Sequence, residues 1–313
     1  MVKEQDFGHD GPKGTYILDI KPKPKYLFEI IIDTLKRANK KYETTIPWYI
    51  MTSDENNEET IKFFENNNYF EYPKESVMFI IQGKLPIINK EGKLLLDENN
   101  MIKEASDGNG STYRTLYKSG ALTDMEKRGV EWVYICAVDN PLLQILEPLL
   151  VGATISQKNL AASKSIVKCD PFEKVGAFCK KNGKPSVIEY TELPKEEAIK
   201  TDKDGELIYG EAHIMCNLFN IEAIKKICTN KLPYHVAFKK IDYYENGKLI
   251  KPSKPNAYKF EAYIFDGFSL FENITIVRGK REESFAPTKN STGVDSAQTA
   301  IELYNNYWFG KHI

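Results

Sequence analysis

W-V-Y-I-C-A-V-D-N, residues 132–140, places seven consecutive non-polar residues directly before an aspartate. A short apolar run of this kind is typical of a strand that is buried on both faces of a parallel sheet. Two further apolar runs precede it, at residues 46–51 and 77–82, and helical patterns separate them. Strands that alternate with helices predict an α/β fold, in which a mostly parallel sheet carries helices on both faces.

The helices of this half are predicted from spacing and from end signals. An apolar stripe that includes Leu27, Ile31 and Leu35 predicts a helix after Pro24. Acidic residues at 54–59 begin a second helix, where the helix dipole favours negative charge. A third helix is expected over residues 112–127.

The second half of the chain contains more hairpin signals. Asn182-Gly183 lies between two apolar runs, which is a strong signal for a tight hairpin turn. Helical patterns return at residues 221–228 and 296–308. Because no internal repeat and no low-complexity linker occurs, we expect a single domain.

Composition excludes several classes of partner. The 313 residues carry a net charge of −1, with a pI near 6.5 and no long basic run, which disfavours nucleic acid. No apolar stretch is long enough to cross a bilayer, and the charged N-terminus lacks the apolar core of a signal peptide. The cysteines show no C-x-x-C pair, so we expect free thiols and a cytoplasmic location: Cys136, Cys169, Cys179, Cys216, Cys228.

Two glycine-rich segments are candidate ligand-binding loops. Asp10–Gly14 contains a lysine beside glycines, which allows backbone amides and an ammonium group to approach a phosphate; a surface turn is the alternative. Residues 106–110, Ser-Asp-Gly-Asn-Gly, precede a predicted helix and could admit a flat base or a sugar. A capped loop explains this second segment equally well.

Two further segments carry charged residues at positions where ligands are common. Asp139 follows the apolar strand, and ligands of open parallel sheets gather beyond the carboxyl ends of the strands. A carboxylate there could hold Mg²⁺ against a triphosphate, or it could cap the next helix. Residues 285–290, Phe-Ala-Pro-Thr-Lys-Asn, place Lys289 in a stiff turn, where the alternative is a solvated loop lysine.

The order of these segments resembles that of the UDP-N-acetylglucosamine pyrophosphorylase family. The family pattern runs through G-P-K-G, M-T-S, Q-x-x-L-P, D-G-N-G, V-D-N, V-E-Y-[ST]-E, K-F-E-x-x-x-F-D and F-[SA]-P-x-K-N. The matching segments extend over nearly the whole chain: Gly11–Gly14, Met51–Ser53, Gln82–Pro86, Asp107–Gly110, Val138–Asn140, Ile188–Glu192, Lys259–Asp266 and Phe285–Asn290.

The resemblance implies a fold and a set of roles at the phosphates. It implies the three-layer, Rossmann-like fold of nucleotide-diphospho-sugar transferases, with a mixed, mostly parallel sheet. It also implies one catalytic domain, 1–313, with a nucleotide-binding half at 1–158 and a sugar-binding half with a C-terminal helix at 159–313. Lys13 and Lys289 would bind the reacting phosphates, and Asp139 would ligate Mg²⁺ (or Mn²⁺).

The resemblance also assigns the base and the sugar. Gln82 and Gly108 would hold the uracil, and the sugar hydroxyls would contact Asn109, Gly176 and Glu189. The remaining candidates match family positions near the sugar: Asn217, and the aromatic pair Tyr263 and Phe265 beside the N-acetyl group. For the aromatic pair, core packing is the alternative.

Three departures from the family pattern concern the ends of the chain and the sugar site. Relatives begin with an apolar strand and G-G-x-G-T-R-L-G, whereas residues 3–8 here read Lys-Glu-Gln-Asp-Phe-Gly. We therefore expect a chain that is N-terminally incomplete relative to the family, with two strands that lose a neighbour. A Gly-Asn pair near the sugar reads His213-Ile214, and the chain ends soon after Asn290 without the extension of longer relatives.

The implied reaction joins UTP and N-acetylglucosamine 1-phosphate to give UDP-N-acetylglucosamine and pyrophosphate. Two alternatives remain at this point. The changed sugar site allows a preference for another sugar 1-phosphate, of the glucose or galactose type. The missing glycine-rich segment allows a non-catalytic remnant that binds a nucleotide sugar or another protein. A dinucleotide-binding dehydrogenase is excluded, because no G-x-G-x-x-G follows a first strand.

Overall fold

The structure is a computed structural model and describes residues 9–310. The strands are β1 Ile17–Leu18, β2 Lys25–Tyr26, β3 Trp48–Thr52, β4 Val77–Ile81, β5 Lys84–Pro86, β6 Ile88–Asn89, β7 Glu104–Ser106, β8 Trp132–Cys136, β9 Ala161–Val167, β10 Ala177–Lys181, β11 Lys184–Ile188, β12 Glu211–Asn220, β13 His235–Lys239, β14 Tyr243–Glu245, β15 Lys248–Ile250, β16 Ala257–Glu261 and β17 Thr275–Arg278. The helices are α1 Leu27–Tyr42, α2 Asn57–Asn66, α3 Thr112–Lys118, α4 Ala121–Lys127, α5 Pro148–Ser156, α6 Lys195–Ala198, α7 Ile221–Cys228, α8 Arg281–Ser284 and α9 Ala297–Phe309. Short 3-10 turns occur at Lys13–Thr15, Lys74–Ser76, Asn109–Ser111 and Ile264–Leu270.

The main sheet is mixed and has six strands in its described part. Its order is β11-β10-β12-β9-β17, and β8 lies beside the C-terminal half of β12. Strands β8, β9, β10 and β17 run in one direction, and β11 and β12 run in the other. In the described part of this sheet β9–β17 is the single parallel pair, because the reversed strand β12 separates β8 and β10 from β9. The main sheet is therefore mixed, as expected, but it is not mostly parallel, and β8 pairs antiparallel with β12.

Strands β3 and β4 form a separate two-stranded parallel sheet, as the apolar runs predict. Within residues 9–310, β3 pairs only with β4, and β8 pairs only with β12. Within these residues, one edge of each strand carries no ladder, and the expectation that two strands lose a neighbour stays a prediction. The segment on which that expectation rests, residues 3–8, lies outside the described residues.

Helices cover both faces of the sheets, so the three-layer prediction is confirmed. Phe219 of β12 packs in the cluster that includes residues of α3, α4 and α7, whereas the adjacent Leu218 packs against Leu150 of α5. Neighbouring residues of a strand point to opposite faces, so these helices lie on opposite sides. Likewise, Ile50 of β3 faces α1 and α2, while Met51 faces the first cluster.

Most helix predictions are confirmed, but residues 112–127 form two helices and not one. The break lies at Gly120, whose φ of +81° belongs to the left-handed region that glycine adopts easily. Its amide hydrogen bonds to Tyr117 O, and α4 begins at the next residue. The predicted hairpin at Asn182-Gly183 is present, with positive φ at both turn residues.

Smaller sheets complete the fold beside the main sheet. One has the order β13-β16-β6, and it brings His235 and Glu261 opposite each other. Strands β5 and β7 form a pair that leads into the Ser106–Gly110 loop. Between His9 and Gly310, no helix combines the length and the apolar composition that crossing a membrane requires.

Candidate active site

The segment that contains Lys289 is bound to the carboxyl end of β8. Asn140 accepts a hydrogen bond from Ala286 N at 2.9 Å and donates one to Ser284 O at 2.8 Å. Thr288 donates to the carbonyl of Asp139 through its amide, at 2.9 Å, and through its hydroxyl, at 3.1 Å. These bonds place Lys289 directly after a residue that is held against Asp139.

Lys13 reaches the same end of the strand from the opposite end of the chain. Its Nζ lies 3.0 Å from Asp139 Oδ2. It begins a 3-10 turn in which the amide and the hydroxyl of Thr15 both donate to Pro12 O. Gly14 is required in this turn, because a Cβ there would lie 2.2 Å from the ring of Phe28.

The three predicted phosphate and metal residues thus converge: Lys13 contacts Asp139, and Lys289 follows the threonine bonded to it. The Lys289 ammonium lies 3.9 Å from Asp295 Oδ2 and 5.1 Å from the centre of the Phe285 ring. Burial raises the pKa of Asp295, although the positive charge of Lys289 opposes the shift. The negative charge of Asp139 also raises the pKa of Asp295, so the Lys13–Asp139 and Lys289–Asp295 pairs are close enough to interact.

The site offers a metal ion few protein ligands. In the described part of the chain, no three His, Cys, Asp or Glu residues are grouped so that they could hold a metal. Mg²⁺ commonly needs only one or two carboxylates, because substrate phosphates and water supply its other ligands. Asp139 fits that kind of site, and a fully protein-ligated metal does not.

The loop predicted to hold uracil is fixed by backbone contacts. Gln82 donates to Gly108 O at 2.7 Å, and Ala262 N donates to Asp107 O at 2.9 Å. Gly108 has a φ of +89°, and a Cβ there would lie 2.3 Å from Ala262 O. Position 108 therefore requires glycine, because the backbone of Ala262 approaches too closely for any side chain.

Gly176 and Glu189 lie side by side at the start of β10 and the end of β11. A Cβ at Gly176 would lie 3.4 Å from Glu189 Oε1 and 2.7 Å from Val187 Cγ1. Burial raises the pKa of Glu189, and the negative charge of Glu192 raises it further. The positive charge of Lys289 opposes this shift, so the Glu189 carboxylate interacts electrostatically with the phosphate end of the site.

The aromatic pair forms one wall beside the glycine loop. Asn109 accepts a hydrogen bond from Ile264 N at 2.8 Å, which joins the loop to this wall. The rings of Tyr263 and Phe265 lie 5.1 Å apart between centroids, and Phe265 also contacts the ring of His213 at 5.6 Å. Tyr263 is partly exposed and Phe265 is buried, so core packing accounts for much of the Phe265 side chain.

Asn217 lies in the interior of the sheet and not on the surface of the site. It is fully buried, and its Oδ1 lies 2.9 Å from both Ser163 Oγ and His213 Nε2. These contacts span a β-bulge in β12, where the pairing with β9 shifts between His213 and Asn217 and where Met215 has positive φ. His213 N donates to Gly176 O at 2.9 Å. The segment that departs from the family pattern, His213-Ile214, is therefore bonded directly to the backbone of Gly176.

Comparisons with known proteins identify the family and the fold of this chain. The profile of the family described as "UTP--glucose-1-phosphate uridylyltransferase" matches residues 4–303. The chain belongs to this uridylyltransferase family. Its fold is that of the UDP-sugar pyrophosphorylases: a crystal structure of a UDP-N-acetylglucosamine pyrophosphorylase from Trypanosoma brucei, solved with an inhibitor, superposes with a TM-score of 0.84 at 27% identity. That match covers 96% of this chain and 62% of the other.

Curated relatives are named as pyrophosphorylases of UDP-N-acetylated sugars or as proteins like them. The UDP-N-acetylglucosamine pyrophosphorylase of Saccharomyces cerevisiae is 36% identical over 311 residues, which cover 95% of this chain and 65% of the relative. The human UDP-N-acetylhexosamine pyrophosphorylase-like protein 1 is 36% identical over 295 residues, which cover 91% and 58%. The chain thus spans less than two thirds of the length of these relatives.

His235 was not among the predicted site residues, yet it contacts two acidic residues near the predicted sugar site. His235 Nδ1 lies 2.7 Å from Glu192 Oε1, and Nε2 lies 3.0 Å from Asp266 Oδ1. The two acids stand in the segments V-E-Y-[ST]-E and K-F-E-x-x-x-F-D, which were noted for other residues. No local spacing connects the histidine to either acid, because 43 and 31 positions separate them.

Proposed function

We propose that this chain catalyses uridylyl transfer from UTP to N-acetylglucosamine 1-phosphate, with release of pyrophosphate. The observation that carries the proposal is the convergence of Lys13, Asp139 and Lys289 at the carboxyl end of β8. Relatives that are about one-third identical bear the names UDP-N-acetylglucosamine pyrophosphorylase and UDP-N-acetylglucosamine diphosphorylase, which supports the choice of sugar. Membership of the family supports the reaction class.

The reaction requires positioning and charge stabilisation rather than a general base. The phosphate of the sugar is already ionised at neutral pH, so its oxygen can attack the α-phosphorus of UTP in line. The bond from the α-phosphorus to the bridging oxygen breaks, and pyrophosphate leaves from the opposite side. Lys13 and Lys289 are the cations that would stabilise the negative charge developing around the phosphorus.

Mg²⁺ would complete this site, and Asp139 is the residue that we propose as its protein ligand. When bound, the ion supplies charge neutralisation to the polyphosphate. The Lys13 ammonium now satisfies the Asp139 carboxylate, so an arriving polyphosphate competes with Asp139 for this cation. We expect this exchange to free the carboxylate for the metal.

Each half of the chain would bind one of the two substrates. Lys13, Gln82 and Gly108 lie in the proposed nucleotide-binding half, residues 1–158, and Gly176, Glu189 and Tyr263 lie in the proposed sugar-binding half. Glu189 has the burial and the acceptor oxygens needed to hold sugar hydroxyls. The free cysteines support the proposal of a cytoplasmic location.

A direct assay tests the proposal. Purified protein is mixed with UTP, Mg²⁺ and one sugar 1-phosphate from a panel of N-acetylglucosamine, N-acetylgalactosamine, glucose and galactose, and pyrophosphate release is followed. We expect turnover with N-acetylglucosamine 1-phosphate, at a kcat/KM at least ~10-fold above that for glucose 1-phosphate. A reversed preference would overturn the sugar assignment, and no release with any member would overturn the activity.

A further inference from the structure

His235 is held between two carboxylates that come from two different segments. Its Nδ1 lies 2.7 Å from Glu192 Oε1, in the turn after β11. Its Nε2 lies 3.0 and 3.2 Å from the two oxygens of Asp266, in the 3-10 turn after β16. The Asp266 side chain is 8% exposed and that of His235 is 20% exposed, so water screens this contact only weakly.

The geometry requires the charged form of the ring. A neutral imidazole carries one N–H, so it can donate to only one of two carboxylates and would turn a lone pair toward the other. An imidazolium donates to both. The hydrogen bond to Asp266 raises the pKa of His235 to about 9, Glu192 adds to this effect, and partial burial opposes it.

Each carboxylate is tied to one side of the proposed sugar site. We call residues 189–193 the Glu189 turn and residues 263–265 the Tyr263 wall. Asp266 Oδ2 accepts the amide of Tyr263 at 2.7 Å, and the Tyr263 ring packs on the His235 ring at 4.5 Å. The amides of Glu192 and Leu193 both donate to Glu189 O, so Glu192 is rigidly linked to Glu189.

We propose that His235 is a positioning residue of the sugar subsite, an inference that rests on the proposed function. It joins the Glu189 turn to the Tyr263 wall and keeps the two at the separation that the sugar of a nucleotide sugar requires. Loss of its proton leaves Glu192 and Asp266 facing a neutral ring, and the two sides of the subsite loosen. We expect the phosphate end to stay in place, because Lys13 and Asp139 are held by a bond to each other.

Other charged and titratable groups lie near His235 and could contribute to the pH dependence of binding. The carboxylate of Glu189 acts on His235, and Glu261, opposite His235 in the β13–β16 ladder, is paired with Lys259 at 2.8 Å. The hydroxyl of Tyr263 has a raised pKa, chiefly through burial. Lys289 acts on Glu189 from the phosphate side. A step that is absent from His235→Gln is therefore assigned to the imidazole.

A comparison of two ligands distinguishes effects at the sugar subsite from effects at the phosphate end. Calorimetry with UDP-N-acetylglucosamine and with UDP is carried out from about pH 7.5 to 10. UDP has the same uracil and phosphates, so it reports any titration of the base or of the lysines. We expect the affinity for the nucleotide sugar to fall ~10-fold more than that for UDP over this range, and His235→Gln to show the weaker affinity at every pH.

NMR provides a readout that does not depend on ligand or activity. The imidazole resonance that is missing from His235→Gln should titrate with a midpoint near 9. Glu192→Gln, which removes the more exposed carboxylate, should lower that midpoint and move the binding step to lower pH with it. This second variant keeps the test informative if His235→Gln folds poorly.

The outcomes distinguish the inference from the proposed function. Turnover at neutral pH combined with equal pH dependence for the two ligands, or with a His235 midpoint near the ordinary value of about 6.5, overturns the positioning role alone. No turnover, but a pH-dependent loss confined to the nucleotide sugar, overturns the proposed activity and leaves the role of His235 intact. Failure of UDP-N-acetylglucosamine to bind at any pH overturns both.

Discussion

Lys13 Nζ lies 3.0 Å from Asp139 Oδ2, although 126 positions separate the two residues in the sequence. The two side chains are 22% and 18% exposed, so the pair is accessible to a ligand and yet poorly screened by water. A buried structural ion pair would be inaccessible, and a fully exposed pair would contribute little. The intermediate exposure agrees with a cation that exchanges partners when a polyphosphate arrives.

The first prediction concerns the two lysines. Lys13→Met and Lys289→Met should each lower kcat for uridylyl transfer by ~10²-fold or more, because each removes a charge that stabilises the transition state. Folding should be little affected, since both side chains are partly exposed and methionine preserves the apolar part of each. Pyrophosphate release measures the rate, and urea unfolding measures stability.

Lys280→Met is the matched control for both lysines. Its side chain is 70% exposed and pairs only with Glu283 among the described salt bridges, so the rate should be unchanged. Full turnover by Lys289→Met would remove that lysine from the mechanism. An equal loss in the Lys280 variant would point to a general effect of net charge.

The second prediction concerns Asp139. Asp139→Asn keeps the shape of the side chain but removes its charge, so activity should fall by ~10²-fold. The residual rate should no longer rise with Mg²⁺ concentration as the wild-type rate does. The rate is measured against Mg²⁺ concentration at saturating UTP. Asp242→Asn, at an exposed position, is the control. A normal Mg²⁺ response in Asp139→Asn would contradict the proposed ligand role.

The third prediction tests the contact between Gly176 and Glu189. In Gly176→Ala, the new Cβ would lie 2.7 Å from Val187 Cγ1 and 3.4 Å from Glu189 Oε1, so the Val187 side chain must shift and Glu189 loses room beside it. We expect the KM for the sugar 1-phosphate to rise ~10-fold while the KM for UTP stays within about twofold.

A second glycine provides the comparison for Gly176→Ala. Gly152 lies in helix α5, and a Cβ there meets nothing within 4 Å. Gly152→Ala should leave both KM values unchanged and should stabilise the fold by up to ~1 kcal/mol, because alanine favours the helix. If Gly176→Ala raised the two KM values equally, Glu189 would have no selective role at the sugar.

Local patterns were sufficient to predict most elements, whereas the roles at the phosphate end rested on the family resemblance and stay predictions. The strands at residues 46–51, 77–82 and 132–138 were predicted because buried parallel strands are continuous apolar runs. The turn at Asn182-Gly183 was predicted because its chemistry is local. The break at Gly120 was not predicted, because an isolated glycine within a helical pattern does not reveal whether it adopts positive φ.

Contacts between residues that are far apart in the sequence could not be predicted from local patterns. The reversal of β12 between β8 and β9 is a property of the topology, and neighbouring strands of either direction have similar apolar runs. The bridge from Glu192 through His235 to Asp266 joins three segments with no common spacing. Asn217 matched a family position, but only the bulge in β12 reveals that its amide faces Ser163.

The last prediction concerns His213 and the stability of the fold in acid. His213 is 7% exposed, and burial lowers its pKa from 6.5 to about 4, although the hydrogen bond to Asn217 opposes the shift. Between these two values the unfolded chain binds a proton that the folded protein excludes. This contribution to stability is therefore complete above pH 6.5 and is lost as the pH falls toward 4.

The free energy of unfolding of the wild type should fall with decreasing pH in this window, and His213 should account for up to ~1.4 kcal/mol per pH unit of the slope. His213→Gln keeps a polar group beside Asn217 but has no titration, so its slope should be shallower by that amount, whatever its absolute stability. Urea unfolding between about pH 4.5 and 7.5 measures both proteins. Equal slopes would mean that the folded protein admits a proton at His213, and the bulge in β12 would then have to open to solvent.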